Sequence, residues 1–435
     1  MTATPSPAPT ILTELTTAEI PNILARFDEE IGARHWQQRV KQIRGAVKAK
    51  PLLEDLLHRE NAIPFGLVEC GELLSRYGGQ MPSGILASRP GLCGAMSFSA
   101  QALSMLDLAD DVQRTRLTAR ICNALTNPDA MRALRLELST ATHFARRGFA
   151  VEWPEMSGAG NFDLLIHGLG TCGLEVECKS VSQDKGRAIH REEALEMHEL
   201  LRKELKSVSD SLLVGLAVVV TVPKRLPKAY VERRALAQAI RRQITMGRSD
   251  RLPCGTDIRI EQFDATIFRG VVEEGASSDD FRSKVEQVTR TRNREAVVIG
   301  RKGGGLVIVV LQGAGDDGVL TATFKSLSEA ARRQLSGTRP ALLIAGFDGL
   351  DDRSLQSIAR QDHDPQQQPT SLAQRVSEFL TADHRPHVIG VCFFSATSLR
   401  DEGSFIGSGG AAYYFPKRQS PFWTDDLSGL FGERY

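Results

Sequence analysis

The segment from Asn161 to Ser180, NFDLLIHGLGTCGLEVECKS, constrains the fold more than any other part of the chain. It contains two apolar runs of strand length, with several glycines between them. Because glycine tolerates the backbone angles of tight turns, this pattern predicts a β-hairpin. In such a hairpin, Asp163 would lie beside the strand that carries Glu177 and Lys179.

Side-chain alternation divides the second strand into two different faces. Glu175, Glu177 and Lys179 share one face. The other face is apolar: Leu174, Val176 and Cys178. On the first strand, Asp163 lies opposite the apolar residues of its own run. One face therefore suits a protein core, and the charged face is left for chemistry or for solvent.

Two carboxylates and a lysine on neighbouring strands can hold a divalent metal ion against a phosphodiester. Mg²⁺ is usually bound by one or two carboxylates together with water and substrate phosphate. A lysine beside the ion can orient the attacking water or stabilise the charged phosphate. The alternative is an exposed strand face with a surface ion pair to Asp163, an arrangement that is common and stabilises little.

A carboxylate on the preceding helix extends this set. The spacing of apolar residues predicts an amphipathic helix over Asp129–Arg147, which Gly148 ends. Glu137 lies at the edge of its apolar stripe, on the side that faces the sheet. We therefore expect the Glu137 carboxylate to reach the metal. Glu175 is expected to be a neighbour of the site and not a ligand.

The order of these residues resembles the PD-(D/E)xK nuclease superfamily, the restriction-endonuclease-like phosphodiesterases. In that family a helix carries a Glu, a strand carries an Asp, and the next strand carries (Asp/Glu)-x-Lys. The matching residues are Glu137, Asp163, Glu177 and Lys179. Phe162 stands where the family often has a proline that is not a ligand. The resemblance covers residues 128–222.

This resemblance implies a mixed central sheet flanked by helices. It also implies that the protein hydrolyses DNA or RNA, with DNA favoured, and that this reaction depends on Mg²⁺ or Mn²⁺. Asp163 and Glu177 would ligate the ion. Lys179 would activate water or stabilise the transition state, and Glu137 would assist the metal or the water. The alternative function is a non-catalytic nucleic-acid-binding or scaffold protein on an inactivated nuclease fold.

Two further groups of residues are candidates for binding nucleic acid. Gln183 and Lys185 follow the hairpin, and their amide and ammonium groups can donate to phosphate oxygens. Arg234, Arg241 and Arg248 recur every seven residues along a predicted helix, and such a stripe suits a phosphate backbone. The net charge is only +1, so affinity would have to come from such local patches. Both groups are equally typical of solvated loops and helix faces.

The 435 residues are enough for two or three domains, and the alternation of strands and helices predicts an α/β fold. We predict a helical N-terminal region over residues 1–125, with 1–10 disordered and a surface for a protein partner. A nuclease-like core would follow over 126–265. A C-terminal α/β region over 266–435 would either continue the same sheet or form a second one. Residues 265–293 resemble a polar linker, and 301–305 favour a hairpin turn over a phosphate loop.

The cysteines and apolar runs indicate a cytoplasmic protein without membrane association. The seven cysteines are scattered and none has CxxC spacing, which is typical of a reducing compartment. The longest apolar run, Leu212–Val222, is about half the length needed to cross a bilayer. The first ten residues lack the basic and apolar segments of a signal peptide.

Overall fold

The chain folds as a mixed α/β protein in two compact units. A computed structural model describes residues 14–82, 84–212, 214–268, 278–291, 295–300, 305–315, 317–382, 384–395, 398–401 and 406–431. The first unit comprises Met1–Gly45, His58–Lys185 and Leu320–Tyr435, and the second comprises Ala46–Leu57 and Gly186–Val319. These units do not coincide with the predicted boundaries near residues 125 and 265.

Helices account for more of the chain than strands do. The described α-helices are α1 (Ile20–Ile31), α2 (Arg34–Ala49), α3 (Glu54–Glu60), α4 (Ala62–Arg76), α5 (Ile85–Ser88), α6 (Pro90–Leu108), α7 (Asp111–Ala124), α8 (Pro128–Arg146), α9 (Pro154–Ser157), α10 (Arg191–Ser211), α11 (Tyr230–Met246), α12 (Ser278–Thr289), α13 (Val319–Arg333), α14 (Asp352–His363) and α15 (Ser371–Leu380).

The described strands are β1 (Glu14–Leu15), β2 (Val151–Glu152), β3 (Leu164–Ile166), β4 (Leu174–Val181), β5 (Gly215–Val222), β6 (Asp250–Arg251), β7 (Asp257–Phe263), β8 (Ala296–Gly300), β9 (Leu306–Gly313), β10 (Ala341–Phe347), β11 (Val388–Phe394), β12 (Ser398–Asp401), β13 (Ile406–Gly409) and β14 (Ala412–Pro416). Strands β1, β13 and β12 form a small sheet of their own in the first unit.

The large sheet of the first unit contains the predicted hairpin. Its strand order is β14-β11-β10-β4-β3-β2. Strands β3 and β4 are antiparallel, with Leu164 opposite Val176. Strand β10 runs parallel to the other edge of β4, with Leu343 opposite Glu177. Strands β10, β11 and β14 of the predicted C-terminal region therefore continue this sheet, whereas β8 and β9 of the same region belong to a second sheet. The region thus shows both of the arrangements that the sequence left open.

Helix α8 covers the apolar face of β4. Asn127 caps its first turn by accepting hydrogen bonds from the backbone N–H groups of Asp129 and Ala130, and Pro128 occupies the first helical position, where no N–H is needed. Leu134 on α8 and Val176 on β4 belong to one apolar core. The same core includes residues of the N-terminal helices, so residues 1–125 do not bury a separate core.

The second unit has its own sheet, with strand order β6-β7-β5-β9-β8. The apolar run Leu212–Val222 contains β5, which pairs with β7 and β9 and not with the hairpin. The nuclease-like core expected over residues 126–265 is thus divided between two sheets, and two observations account for this. The apolar residues of β5 pack with those of α10 and α11, and β10 occupies the free edge of β4.

The region predicted as a polar linker contains helix α12. Phe281, Val285 and Val288 recur at helical spacing and pack with Phe268 and with residues of β9. Burial of this apolar stripe stabilises the helix despite its polar surroundings. The predicted disorder over 1–10 and the predicted turn over 301–304 lie outside the described residues. Within the part of the chain that is described, no helix has the length and apolar character to span a membrane.

We expect the second unit to lose stability in acid because of His198 on α10. Burial lowers the pKa of this imidazole from 6.5 to about 4, although the backbone of Glu295 partly offsets the effect. Between these values the unfolded chain binds more protons than the folded chain, so stability should fall as the pH falls from 6.5 towards 4. His198→Gln should remove about 2 kcal/mol of this loss at about pH 4.5.

Urea denaturation followed by circular dichroism, at about pH 7 and about pH 4.5, measures the difference. The control is His363→Gln, because His363 is an exposed histidine on α14. An equal acid sensitivity of the wild-type protein and His198→Gln would contradict the assignment to His198.

Candidate active site

The hairpin brings Asp163 against the strand that carries Glu177 and Lys179, as predicted. Asp163 lies just before β3, and its Oδ2 accepts a hydrogen bond from the backbone N–H of Cys178 at 2.7 Å. Gly168, Gly170 and Gly173 in the connection all have positive φ angles, which explains the glycines in this segment. The Asp163 carboxylate is therefore held at the backbone between Glu177 and Lys179.

Glu177 is a buried carboxylate with one unsatisfied oxygen. The residue is 0% exposed, and its Oε1 accepts a hydrogen bond from the Lys179 ammonium group. Its Oε2 is also buried and has no hydrogen-bond partner among the described residues. The Lys179 side chain is 27% exposed, so it joins the buried carboxylate to the surface.

The pKa shifts of Glu177, Asp163 and Lys179 indicate that these two carboxylates have too little positive charge beside them. Burial raises the pKa of Glu177 to about 8, and the charge of Asp163 adds to this rise while Lys179 opposes it. Burial also raises the pKa of Asp163, against the hydrogen bond from Cys178 and the charge of Lys179. Burial lowers the pKa of Lys179, but its interactions with Glu177 outweigh burial and leave that pKa raised. A further cation beside Asp163 and Glu177 would lower the free-energy cost of burying their negative charges.

Glu137 belongs to the same charged cluster. It is buried on α8, and the Arg120 guanidinium from α7 donates to both of its oxygens at 2.7 Å. Burial raises the pKa of Glu137 to about 8; the charge of Asp163 raises it further, and Arg120 opposes both effects. Arg120 also lies 3.7 Å from a carboxylate oxygen of Glu155. Glu137 is therefore held in a fixed orientation near Asp163.

Arg120 is the residue of this cluster that sequence reasoning missed. It lies on a helix that we had assigned to a separate N-terminal region. Its ion pair with Glu137 joins residues 17 positions apart on two different helices. No spacing rule connects them, because only the packing of α7 on α8 brings the two side chains together.

The burial of the glutamates on β4 does not fit the alternative of an exposed strand face. Both Glu175 and Glu177 are 0% exposed. Glu175 accepts hydrogen bonds from the Ser336 backbone N–H at 2.9 Å and from the Ser336 hydroxyl at 2.5 Å. Both Glu175 oxygens are thus satisfied, whereas Glu177 keeps one orphaned oxygen. This difference fits a structural role for Glu175 and a binding role for Glu177.

The candidate phosphate-binding residues differ in where they lie. Gln183 and Lys185 are half-buried in the turns after the carboxyl end of β4, in the same unit as Lys179. The Gln183 amide packs against the backbone at Gly349. A side chain at Gly349 would displace this amide, so the close approach positions Gln183.

The predicted arginine stripe lies in the second unit, and it is shorter than expected. Helix α11 ends at Met246 because Gly247 adopts a left-handed conformation with φ of 62°. Arg248 therefore lies beyond the helix. Arg241 forms an ion pair with Glu204 at 3.3 Å, and Arg234 is exposed. The three arginines do not form one continuous helical face.

The donors present in the first unit suit a hard divalent cation. Asp163 and Glu177 offer carboxylate oxygens, the type of ligand that Mg²⁺ and Mn²⁺ prefer. The buried, unpartnered Oε2 of Glu177 is the observation that fits such an ion. Within the described residues, no three His, Cys, Asp or Glu residues are grouped to hold a metal ion. Water and substrate would therefore have to complete the coordination.

Known proteins offer no direct guide to this site. No family model matches the chain, and neither a curated protein nor a solved structure matches it. The side chains themselves, with their burial and charge, are therefore the basis for a function.

Proposed function

We propose that the protein is a metal-dependent nuclease that hydrolyses phosphodiester bonds of nucleic acid, with DNA favoured over RNA. The observation that carries this proposal is the orphaned, buried Oε2 of Glu177 beside Asp163 and Lys179. Burying a carboxylate without a compensating partner costs free energy, unless a bound ligand supplies that partner. Perturbed carboxylates beside a partly exposed lysine are typical of catalytic sites.

Each residue of the cluster has a distinct role in this proposal. Asp163 and Glu177 would hold the divalent ion, and the chemistry that it supplies when bound is activation of water and neutralisation of phosphate charge. The Lys179 ammonium group donates to a phosphate oxygen or orients the attacking water. Glu137 would assist the metal or the water, and Arg120 keeps its carboxylate oriented.

A metal titration tests the site without any assumption about substrate. Mg²⁺ or Mn²⁺ at about a hundred times its Kd should stabilise the folded protein by about 3 kcal/mol, by mass-action linkage. Asp163→Asn should abolish the response, because it removes a ligand charge. Thermal unfolding at increasing metal concentration is the measurement.

The matched control is Asp129→Asn, an exposed aspartate whose side chain is 83% accessible on α8. Its metal response should equal that of the wild-type protein. If Asp163→Asn keeps the full stabilisation by metal, the ion does not bind at this site and the proposal fails.

The second candidate is a non-catalytic protein on an inactivated nuclease fold, acting as a scaffold or a nucleic-acid-binding module. The pairing of Lys179 with Glu177, and the absence of a three-residue metal group among the described residues, favour this candidate. Exposed apolar residues at the α6–α7 turn, Leu108 and Val112, would suit the protein partner that we predicted for the N-terminal helices. Nucleic-acid binding without a response to metal would support it.

A further inference from the structure

A cavity of about 500 Å³ lies in the first unit, at the amino ends of β10 and β11. One face of α13 and the segment before β11 line it, with six residues that define its chemistry: Lys325, Ser328, Arg332, Ser336, Arg385 and His387. It is separate from the candidate active site, because Ser336 contacts Glu175 near the amino end of β4. Lys179 and Gln183 belong to the carboxyl end of that strand.

The cavity carries an excess of positive charge. Among the described residues that line it, Lys325, Arg332 and Arg385 are cations and Glu329 is the one carboxylate. The structure pairs neither Lys325 nor Arg332 with a carboxylate in the part of the chain that it describes. These described residues therefore carry two positive charges in excess of their negative charge. A doubly charged anion would balance them.

Arg385 is held in place by neutral partners. Its guanidinium lies over the Phe379 ring, 4.0 Å from the ring centroid. It donates to the Phe379 carbonyl oxygen at 3.1 Å and to the Ser328 hydroxyl at 3.0 Å. These contacts orient the group without neutralising it. A cation that is fixed before binding loses little entropy when an anion arrives.

The size and charge of the cavity together define a ligand class. We propose that it binds a small organic molecule that carries a phosphate monoester. A phosphate monoester has a charge of about −1.5 to −2 at neutral pH, which matches the excess positive charge. A volume of about 500 Å³ is typical of small-molecule sites and larger than a lone phosphate needs. Lysine, arginine and serine are common donors to phosphate oxygens. The proposal does not depend on nuclease activity.

Calorimetric titration of the full chain tests this proposal. The ligands are adenosine 5′-monophosphate, inorganic phosphate and adenosine, all at one ionic strength. We expect the monophosphate to bind more tightly than inorganic phosphate, and adenosine not to bind. Arg332→Gln and Lys325→Gln should each weaken binding about tenfold or more, because each removes a charge-assisted contact. Both residues are exposed, so thermal unfolding should show that the variants fold.

The matched control is Arg333→Gln, the neighbouring exposed arginine on α13, which does not line the cavity. Its affinity should equal that of the wild-type protein. Equal weakening by Arg333→Gln and Arg332→Gln would mean general charge attraction and would overturn the proposal. It would also be overturned if neither phosphate compound bound, or if inorganic phosphate bound and the monophosphate did not.

Discussion

Lys179→Ala should lower the rate of metal-dependent cleavage by about a thousandfold or more while the protein stays folded. The ammonium group contacts Glu177, and in the proposed mechanism it orients the attacking water or stabilises the charge that develops on the phosphate. An interaction of this kind affects the chemical step and not ground-state binding. Single-turnover cleavage of labelled DNA, with Mg²⁺ in excess, measures the effect.

The structure explains why this variant should fold. The Lys179 side chain is partly exposed, and without it Glu177 can take up a proton because burial raises its pKa to about 8. Lys41→Ala is the control, an exposed lysine on α2 in the same unit. Cleavage by Lys179→Ala at the wild-type rate would remove this lysine from the mechanism. No cleavage of DNA or RNA by the wild-type protein would remove the nuclease proposal.

Glu177→Gln should abolish cleavage and yet raise the stability of the metal-free protein by up to about 4 kcal/mol at about pH 8. Burial raises the pKa of Glu177 from 4.5 to about 8, so between these values the folded chain binds more protons than the unfolded chain. Its contribution to stability is full below 4.5 and is lost as the pH rises through about 8. The neutral amide removes this loss. Urea denaturation of the metal-free protein at several pH values measures it.

Glu175→Gln is the matched control, and it should have the opposite effect. Glu175 lies on the same face of β4 and is equally buried, but both of its oxygens accept hydrogen bonds from Ser336. The amide offers a weaker acceptor to these donors, so stability should fall by about 1 to 3 kcal/mol. If Glu177→Gln destabilised the protein as much as Glu175→Gln, Glu177 would be a structural residue.

Together these variants distinguish a residue of a binding site from a residue that only supports the fold. A residue that only supports the fold lowers stability when it is replaced. A residue retained for binding often costs stability, because its burial is compensated only by the ligand. The two glutamates are two positions apart on one strand, so the comparison changes little except the partners of the carboxylate.

Much of the local structure was predictable from the residues of the chain. The hairpin follows from its glycines and apolar runs, and the alternation of side chains correctly placed Val176 and Cys178 in the core. Helix α8 was predicted to within one residue at each end, because its cap and its apolar stripe are local signals. The candidate nuclease residues also followed from their order, and their role stays a prediction.

Other features followed only from long-range packing. The strand beside β4 comes from more than 150 residues downstream, because β10 pairs with β4 while β5 joins a second sheet. Both β5 and β10 are short apolar runs, and nothing local distinguishes which edge each will occupy. The division into units is likewise set by which buried faces share a core.

Residue types and their spacing were thus sufficient to place Asp163, Glu177 and Lys179 on one strand pair, because hairpins and side-chain alternation are local properties. Tertiary structure alone decided that Glu177 is fully buried with one orphaned oxygen, and that Arg120 holds Glu137. Burial and charge depend on every element packed around a residue. They are what separate this cluster from an ordinary ion pair on a strand.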